Sequence, residues 1–200
     1  MSKSSGAAAK GGHYHHGNLR AALLANARAM LEAEGPGALS LRELARRADV
    51  AAASVYHHFA NLDAIAVALA EEGFSELAVC LEQAPTNDRG QLADVGHAYV
   101  RFAMENPDLY RLMFGEGLAR SSAGSETLHR LRQRAYERVK AGLRKRVPEQ
   151  DVATGALFLW SVVHGLALLV IDGQIEAGAD PEAVVTSVLR LTGTGLPTSG

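Results

Sequence analysis

The 200-residue sequence has one cysteine and no uninterrupted hydrophobic run long enough to cross a membrane. A single thiol, that of Cys80, excludes an internal disulfide, and its position between Leu77 and Leu81 at helical spacing favours a place in a hydrophobic core. The most hydrophobic stretch, residues 156–171, is interrupted by polar residues and a glycine. Residues 1–16 lack the hydrophobic segment of a secretory signal, so we expect a soluble, cytoplasmic protein that does not contact a membrane.

The sequence also lacks the short motifs of common enzyme chemistries. It contains no glycine-rich phosphate loop, no His-Glu-x-x-His zinc motif and no Gly-x-Ser-x-Gly nucleophile turn. We therefore expect no enzymatic activity and no cofactor. Imidazoles bind metal ions, but His13, His15 and His16 have no cysteine or acidic residue beside them, so we expect no functional metal site.

The net charge of −2 conceals an asymmetry along the chain. Residues 1–62 carry seven Lys and Arg against four Asp and Glu, a net charge of +3, which leaves −5 for residues 63–200. Five of the eight histidines also lie in the first segment. Because the phosphates of nucleic acids attract cationic groups, this distribution predicts that the N-terminal part meets DNA.

Hydrophobic residues recur every three to four positions along most of the chain, which is typical of amphipathic helices, and no segment alternates as a strand does. Clusters of Gly, Pro and Asn divide these helices, and the stretch 115–124 is one such predicted break. We expect an all-α fold of about nine helices. The first helix is predicted to run from an N-cap at Asn18 to residue 34. The other eight are predicted over residues 41–47, 52–58, 62–81, 89–105, 107–114, 125–147, 150–172 and 181–192.

The best-defined helix start is at Ser40. Ser40 is suited to the N-cap, Glu43 to the reciprocal position of a capping box, and Leu39 and Leu44 to a hydrophobic staple around the first turn.

The short helix that begins there is followed by Asp49 and by a second short helix. Asp is tolerated in sharp turns because its side chain can bond to nearby backbone groups. Two short helices joined by a tight turn predict a helix-turn-helix, the second helix of which enters the major groove of DNA.

Three segments resemble the TetR/AcrR family of transcriptional regulators. They are residues 14–20 (Tyr-His-His-Gly-Asn-Leu-Arg), 39–45 (Leu-Ser-Leu-Arg-Glu-Leu-Ala) and 54–61 (Ser-Val-Tyr-His-His-Phe-Ala-Asn). The resemblance implies a flexible arm over residues 1–17, a helix-turn-helix domain over 18–64 and an effector-binding and dimerisation domain over 65–200.

The family resemblance implies that the protein is a homodimeric repressor. Such a repressor binds a palindromic operator in double-stranded DNA and is released by a small-molecule effector. Leu62 stands where the family leads one to expect a phosphate-binding lysine, and Asp49 replaces a usual glycine. These departures keep an alternative open, namely a helical interaction or ligand-binding module that has lost DNA binding. The arm, with Lys3 and Lys10, either follows the DNA backbone or is an inert tail.

By resemblance, the second short helix reads DNA and the helix before it supports the contact. Arg42 can bond guanine bidentately, whereas Ala52 and Ala53 are limited to methyl contacts with thymine or to close backbone approach. The candidate DNA-binding residues are Ser40, Arg42, Ala52, Ala53, Ser54, Tyr56 and His57.

The C-terminal part resembles the subgroup of this family whose late helix carries a Trp and a His-Gly pair. Aromatic walls with a few polar groups are the usual lining of small-molecule sites. The candidate effector-binding residues are Phe102, Tyr110, Phe114, Trp160 and His164, with a role for His164 in the core alone as the alternative.

Helix 150–172 is hydrophobic nearly all round, which indicates either a partner surface or complete burial. The family resemblance implies that it pairs with its counterpart in a second copy, together with helix 181–192. The basic segment 130–146 is expected to be a solvated face, with an anionic effector or a distant DNA contact as alternatives.

Overall fold

The computed structural model describes residues 19–85, 91–121, 125–144, 146–175 and 180–194. Over these ranges the chain forms ten α-helices and no strand, which confirms the all-α prediction. The helices are α1 (Leu19–Glu34), α2 (Leu41–Arg47), α3 (Ala52–His58), α4 (Leu62–Gln83), α5 (Gln91–Glu105), α6 (Pro107–Phe114), α7 (Glu116–Ser121), α8 (Glu126–Leu143), α9 (Val152–Ile171) and α10 (Pro181–Thr194). The predicted cap at Asn18 and the arm over residues 1–17, including His13, His15 and His16, lie outside the described residues.

Two predicted boundaries are wrong. The break expected over residues 115–124 contains α7, a short helix stabilised by Leu118, whose side chain is buried. The helix expected to continue to residue 147 ends at Leu143, where the backbone turns and Val147 donates a hydrogen bond back to the Leu143 carbonyl.

The first three helices form a small unit around one hydrophobic core. Leu23 of α1, Leu44 of α2 and Val55 of α3 are completely buried, and Phe59 closes the end of α3. Full burial of such side chains contributes roughly 1.5–3 kcal/mol each, so three short helices can be held together by a few contacts. This unit joins the rest of the chain where α1 packs on α4 and α6.

Helix α4 is the central support of the larger part of the molecule. It begins after the N-cap Asn61, whose Oδ1 accepts a hydrogen bond from the Ala64 N–H at 2.9 Å. It packs on α5, α6, α7 and α8. The contact with α6 is close at Gly73, because a Cβ there would lie 2.5 Å from Met113 Sδ. A glycine at this position therefore lets α6 approach α4, which fixes where the side chains of α6 point.

Helix α9 buries one side and exposes another. Gly155, Leu159 and Val163 face the interior, whereas Leu157 and Phe158 are 61% and 44% exposed. In the described part of the chain this is the one helix that is long and apolar enough to span a membrane, over Glu149–Ile171; by itself this is weak evidence, since core helices of soluble proteins meet the same criteria.

Candidate DNA-binding and ligand-binding sites

The start of α2 is capped as the sequence predicts, but only by one half of the capping box. Ser40 Oγ accepts a hydrogen bond from the Glu43 N–H at 3.1 Å. The Glu43 carboxylate accepts hydrogen bonds from Arg46 at 2.6 and 2.8 Å and from Arg47 at 2.8 Å, and these lower the pKa of Glu43 to about 2. The predicted reciprocal bond to Ser40 is wrong because two guanidinium groups offer stronger, charge-assisted bonds.

The turn between α2 and α3 depends on Asp49. Its φ of 52° is in the left-handed region, and Asp49 is the one non-glycine residue with positive φ in the described ranges. The chain reverses there while the Val50 N–H donates to the Ala45 carbonyl at 3.0 Å. The sharp turn predicted at Asp49 is confirmed, and it sets the angle at which α3 leaves α2.

Helix α3 turns one face to the core and the opposite face to solvent. Val55 is buried, and the exposed positions recur at helical spacing, with Tyr56 at 55% exposure. The outward residues are Ala52, Ala53, Tyr56 and His57, and Ser54 lies half-buried beside them. The face that the sequence assigns to DNA is thus open to a partner.

The cations of α2 differ in their surroundings. Arg46 and Arg47 are neutralised by Glu43, and Arg47 is also paired with Glu34 at 2.5 Å. Arg42 is exposed and has no acidic partner within ion-pair distance among the described residues. Its positive charge therefore remains available next to the exposed face of α3.

A second constellation lies in the larger part of the molecule, where Tyr99, Tyr110 and His164 meet. The Tyr110 hydroxyl lies 2.6 Å from His164 Nδ1 and 3.0 Å from the Tyr99 hydroxyl. Burial raises the pKa of both tyrosines and lowers the pKa of His164. All three groups are thus neutral at pH 7, and they satisfy one another's hydrogen bonds inside an apolar environment.

An open cleft of 350 Å³ adjoins this cluster. Of the predicted effector residues, Phe114 and Trp160 line the cleft. Tyr110 and His164 lie behind Phe114, with ring centroids 4.8 and 4.5 Å from it. Phe102 is buried and is not part of the lining, so the structure brings together four of the five residues.

Sequence reasoning missed several residues of the two constellations. They are Tyr99 in the buried cluster, and Phe74, His129, Arg132, Gln133 and Tyr136 in the cleft lining. A signal for Tyr136 was present in α8, where Leu128, Ala135 and Val139 recur at helical spacing and are buried. This stripe packs against the core, and Arg130, Arg132 and Arg134 on the other side of α8 are exposed, which agrees with the solvated face predicted for the basic residues.

A polar contact joins the three-helix unit to the helix that carries Tyr110 and Phe114. Arg28 of α1 donates to Asn106 Oδ1 at 2.7 Å and to the Glu76 carboxylate at 3.2 and 3.3 Å. Asn106 immediately precedes α6. Arg28 therefore adds a polar contact to the direct packing of α1 on α6.

We expect Arg28→Ala to lower the free energy of unfolding by about 2 kcal/mol, because charge-assisted hydrogen bonds of a largely buried side chain are lost. Only 16% of the Arg28 side chain is exposed. The matched control is Arg134→Ala, which breaks the solvent-exposed pair with Glu82 and should have a smaller effect. Urea unfolding followed by circular dichroism measures both, and equal losses would contradict a special role for Arg28.

Both parts of the chain match models of known protein families. Residues 23–69 match the model of bacterial regulatory proteins of the tetR family. Residues 92–192 match the model of the tetracyclin repressor-like C-terminal domain. The HTH-type transcriptional regulator YobS of Bacillus subtilis (strain 168), itself uncharacterized, is 37% identical over 79 residues, which are 38% of this chain and 41% of that protein. The match thus spans about two fifths of the length of this curated relative.

Solved structures are similar over nearly the whole chain. A Rhodococcus sp. RHA1 protein of unknown function is 33% identical, with a TM-score of 0.78 over 92% of this chain and 98% of that chain. A tetR-family transcriptional regulator from Streptomyces coelicolor is 22% identical, with a TM-score of 0.70 over 90% of this chain and 80% of that chain, and shares the fold.

Proposed function

Because the chain belongs to the TetR family of bacterial regulatory proteins, we propose that it is a DNA-binding transcriptional repressor that a small molecule releases from its operator. The observation that carries this proposal is the exposed outer face of α3, with Arg42 beside it and no acid neutralising that arginine among the described residues. A bare helix face next to a free cation suits a negatively charged groove.

Each candidate residue has a role that suits its chemistry. Arg42 reaches a guanine edge or a phosphate, and Tyr56 and His57 contact phosphate or sugar. Ala52 and Ala53 allow close approach and methyl contacts with thymine, and Ser54 adds a small polar group. Ser40 caps α2, so that the first-turn N–H groups of that helix are directed at the phosphate backbone.

The proposed partner of the C-terminal part is a second copy of the chain. Leu157, Phe158 and Leu169 of α9 and Leu191 of α10 are exposed in one protomer, although they are large and hydrophobic. Pairing of α9 and α10 across a two-fold axis would bury them. A symmetric dimer reads a palindromic DNA site, with one recognition helix for each half.

Release from DNA requires that the effector favours a form of the dimer in which the recognition helices are wrongly spaced. We place the effector site at the cleft and the cluster behind it, with Phe114, Trp160, Tyr110 and His164 as contacts or supports. The contact of α6 with Arg28 gives a physical route from this site to α1. Trp160 and the His164-Gly165 pair favour the Trp/His-Gly subgroup of the family.

We place this activity in the cytoplasm, where a repressor meets its operator. The family is one of regulators, and the proposal includes no catalytic step. The alternative is an interaction module without DNA binding. Leu62 and the alanine-rich start of α3 motivate it, but neither alters the exposed face of α3.

Selection of bound sequences from random double-stranded DNA, at a stated salt concentration, tests the proposal. A palindromic consensus is the expected result, because a two-fold dimer presents two equivalent helices. Enrichment of no sequence by the purified full chain would leave the interaction module as the better account.

A further inference from the structure

The polar rim of the cleft comes from a single helix face. Four residues of α8 form one stripe along the mouth of the cleft, because they lie at helical spacing. They are His129 and the residues three, four and seven positions after it, Arg132, Gln133 and Tyr136. The walls opposite are the rings of Phe74, Phe114 and Trp160. The cleft therefore has aromatic walls and a polar rim, and none of its lining residues in the described ranges is an acid.

Arg132 differs from other cations of α8 in what it contacts. Arg134 is paired with Glu82 at 2.6 Å, and Lys140 with Glu137 at 2.8 Å. The Arg132 guanidinium instead lies 5.4 Å from the centroid of the Phe74 ring. No carboxylate lies within ion-pair distance of it in the ranges that the structure describes.

Glu71, the acid one turn before Phe74 on α4, forms no ion pair with Arg132 in the described ranges. Glu71 accepts a hydrogen bond from Ser125 Oγ at 3.0 Å. Cation–π contact holds the Arg132 side chain at the cleft without neutralising its charge. The positive charge at the rim is thus left for a ligand.

We propose that the cleft binds a small aromatic carboxylate, an inference that rests on the proposed ligand-sensing function. The aromatic ring packs against Phe114 and Trp160, and the carboxylate meets the Arg132 guanidinium. Arginine matches a carboxylate with two parallel N–H donors, which fixes orientation as well as charge. His129 lies one turn before Arg132 on the same rim, and Gln133 lies next to it, with its Nε2 donating to Glu137 at 3.5 Å.

The volume and chemistry of the cleft select against other small molecules. Its 350 Å³ accommodates one or two aromatic rings and is small for larger polycyclic compounds. A neutral aromatic amide keeps the stacking but loses the ion pair, whereas an aliphatic acid keeps the ion pair but loses contact with the ring faces. The acid and the amide of the same ring therefore separate the two contributions.

Trp160 is the one tryptophan of the chain and lines the cleft, so its fluorescence reports directly on occupancy. The experiment titrates naphthoate and naphthamide into the full-length protein, with calorimetry as a second readout. The test variant is Arg132→Gln. The matched control is Arg130→Gln, because Arg130 is an exposed arginine of the same helix that is bonded to Thr127 and lies outside the lining.

We expect naphthoate to bind about tenfold more tightly than naphthamide, the size of effect that one charge-assisted contact gives. Arg132→Gln should remove this preference, and Arg130→Gln should leave it intact. Equal affinity for acid and amide, equal effects of the two substitutions, or no binding of either compound would each overturn the inference. Operator binding is measured separately, so failure here is distinguishable from failure of the repressor function.

Discussion

Replacing Leu157 and Phe158 together by aspartate should turn the proposed dimer into a monomer and weaken binding to a palindromic operator by about 100-fold or more, because the two half-sites are no longer bound by one linked molecule. The two side chains are 61% and 44% exposed on the outer face of α9. In a dimer they would be buried, and each carboxylate would lose its hydration without gaining a partner.

Because both side chains are exposed and lie outside the core of the protomer, their replacement should leave the fold unchanged. Val79→Asp is the matched control, because Val79 is also an exposed hydrophobic residue, at 38%, but lies on α4. Sedimentation velocity gives the oligomeric state, and fluorescence anisotropy with labelled operator gives the affinity. A double variant that stays dimeric would show that another surface pairs the protomers.

The helix-turn-helix could be predicted to the residue because its signals are local. Ser40 caps a helix three positions before Glu43, and Asp49 marks the turn; both effects act within a few residues along the chain. The ranges predicted for α2 and α3 are those observed, Leu41–Arg47 and Ala52–His58.

Tertiary partners were less accessible to sequence reasoning. Hydrophobic periodicity tells which face of a helix is buried, but not against what. Tyr110 and His164 are 54 positions apart, and Arg28 and Asn106 are 78 positions apart, so no local sequence pattern predicts their hydrogen bonds. The ion pairs of Glu43 are different, because Arg46 and Arg47 lie only three and four positions after it on α2, a spacing at which opposite charges meet on a helix. This local spacing competes with the reciprocal bond of the capping box, which needs the same carboxylate.

The effector site was predicted only in part, because it too is formed by residues that are distant in sequence. Phe114 and Trp160 share the cleft because α6 and α9 both pack on α5, an arrangement that only the assembled bundle specifies. The prediction for Phe102 rests on its aromatic side chain alone, since aromatic rings commonly line small-molecule sites. Its side chain is buried and lies outside the lining of the cleft, and its role in effector binding stays a prediction.

Arg42→Ala and Tyr56→Ala should each weaken operator binding by about 1–3 kcal/mol, roughly 5- to 150-fold in dissociation constant. Both side chains are exposed beside the outer face of α3, so neither substitution removes a core contact. Arg46→Ala is the control for Arg42, because it removes the same charge from the same helix but at a residue paired with Glu43. We expect Arg46→Ala to leave the affinity nearly unchanged.

The salt dependence of binding distinguishes the two roles open to Arg42. If its guanidinium contacts a phosphate, Arg42→Ala lowers the slope of log affinity against log salt concentration by about one and weakens all sequences alike. If it bonds a guanine edge, the slope is less affected and preference at one operator position is relaxed. Tyr56→Phe makes the corresponding distinction for Tyr56, because it removes the hydroxyl and keeps the ring. Unchanged affinities for both alanine variants, with circular dichroism of the folded protein intact, would move the DNA contact away from α2 and α3.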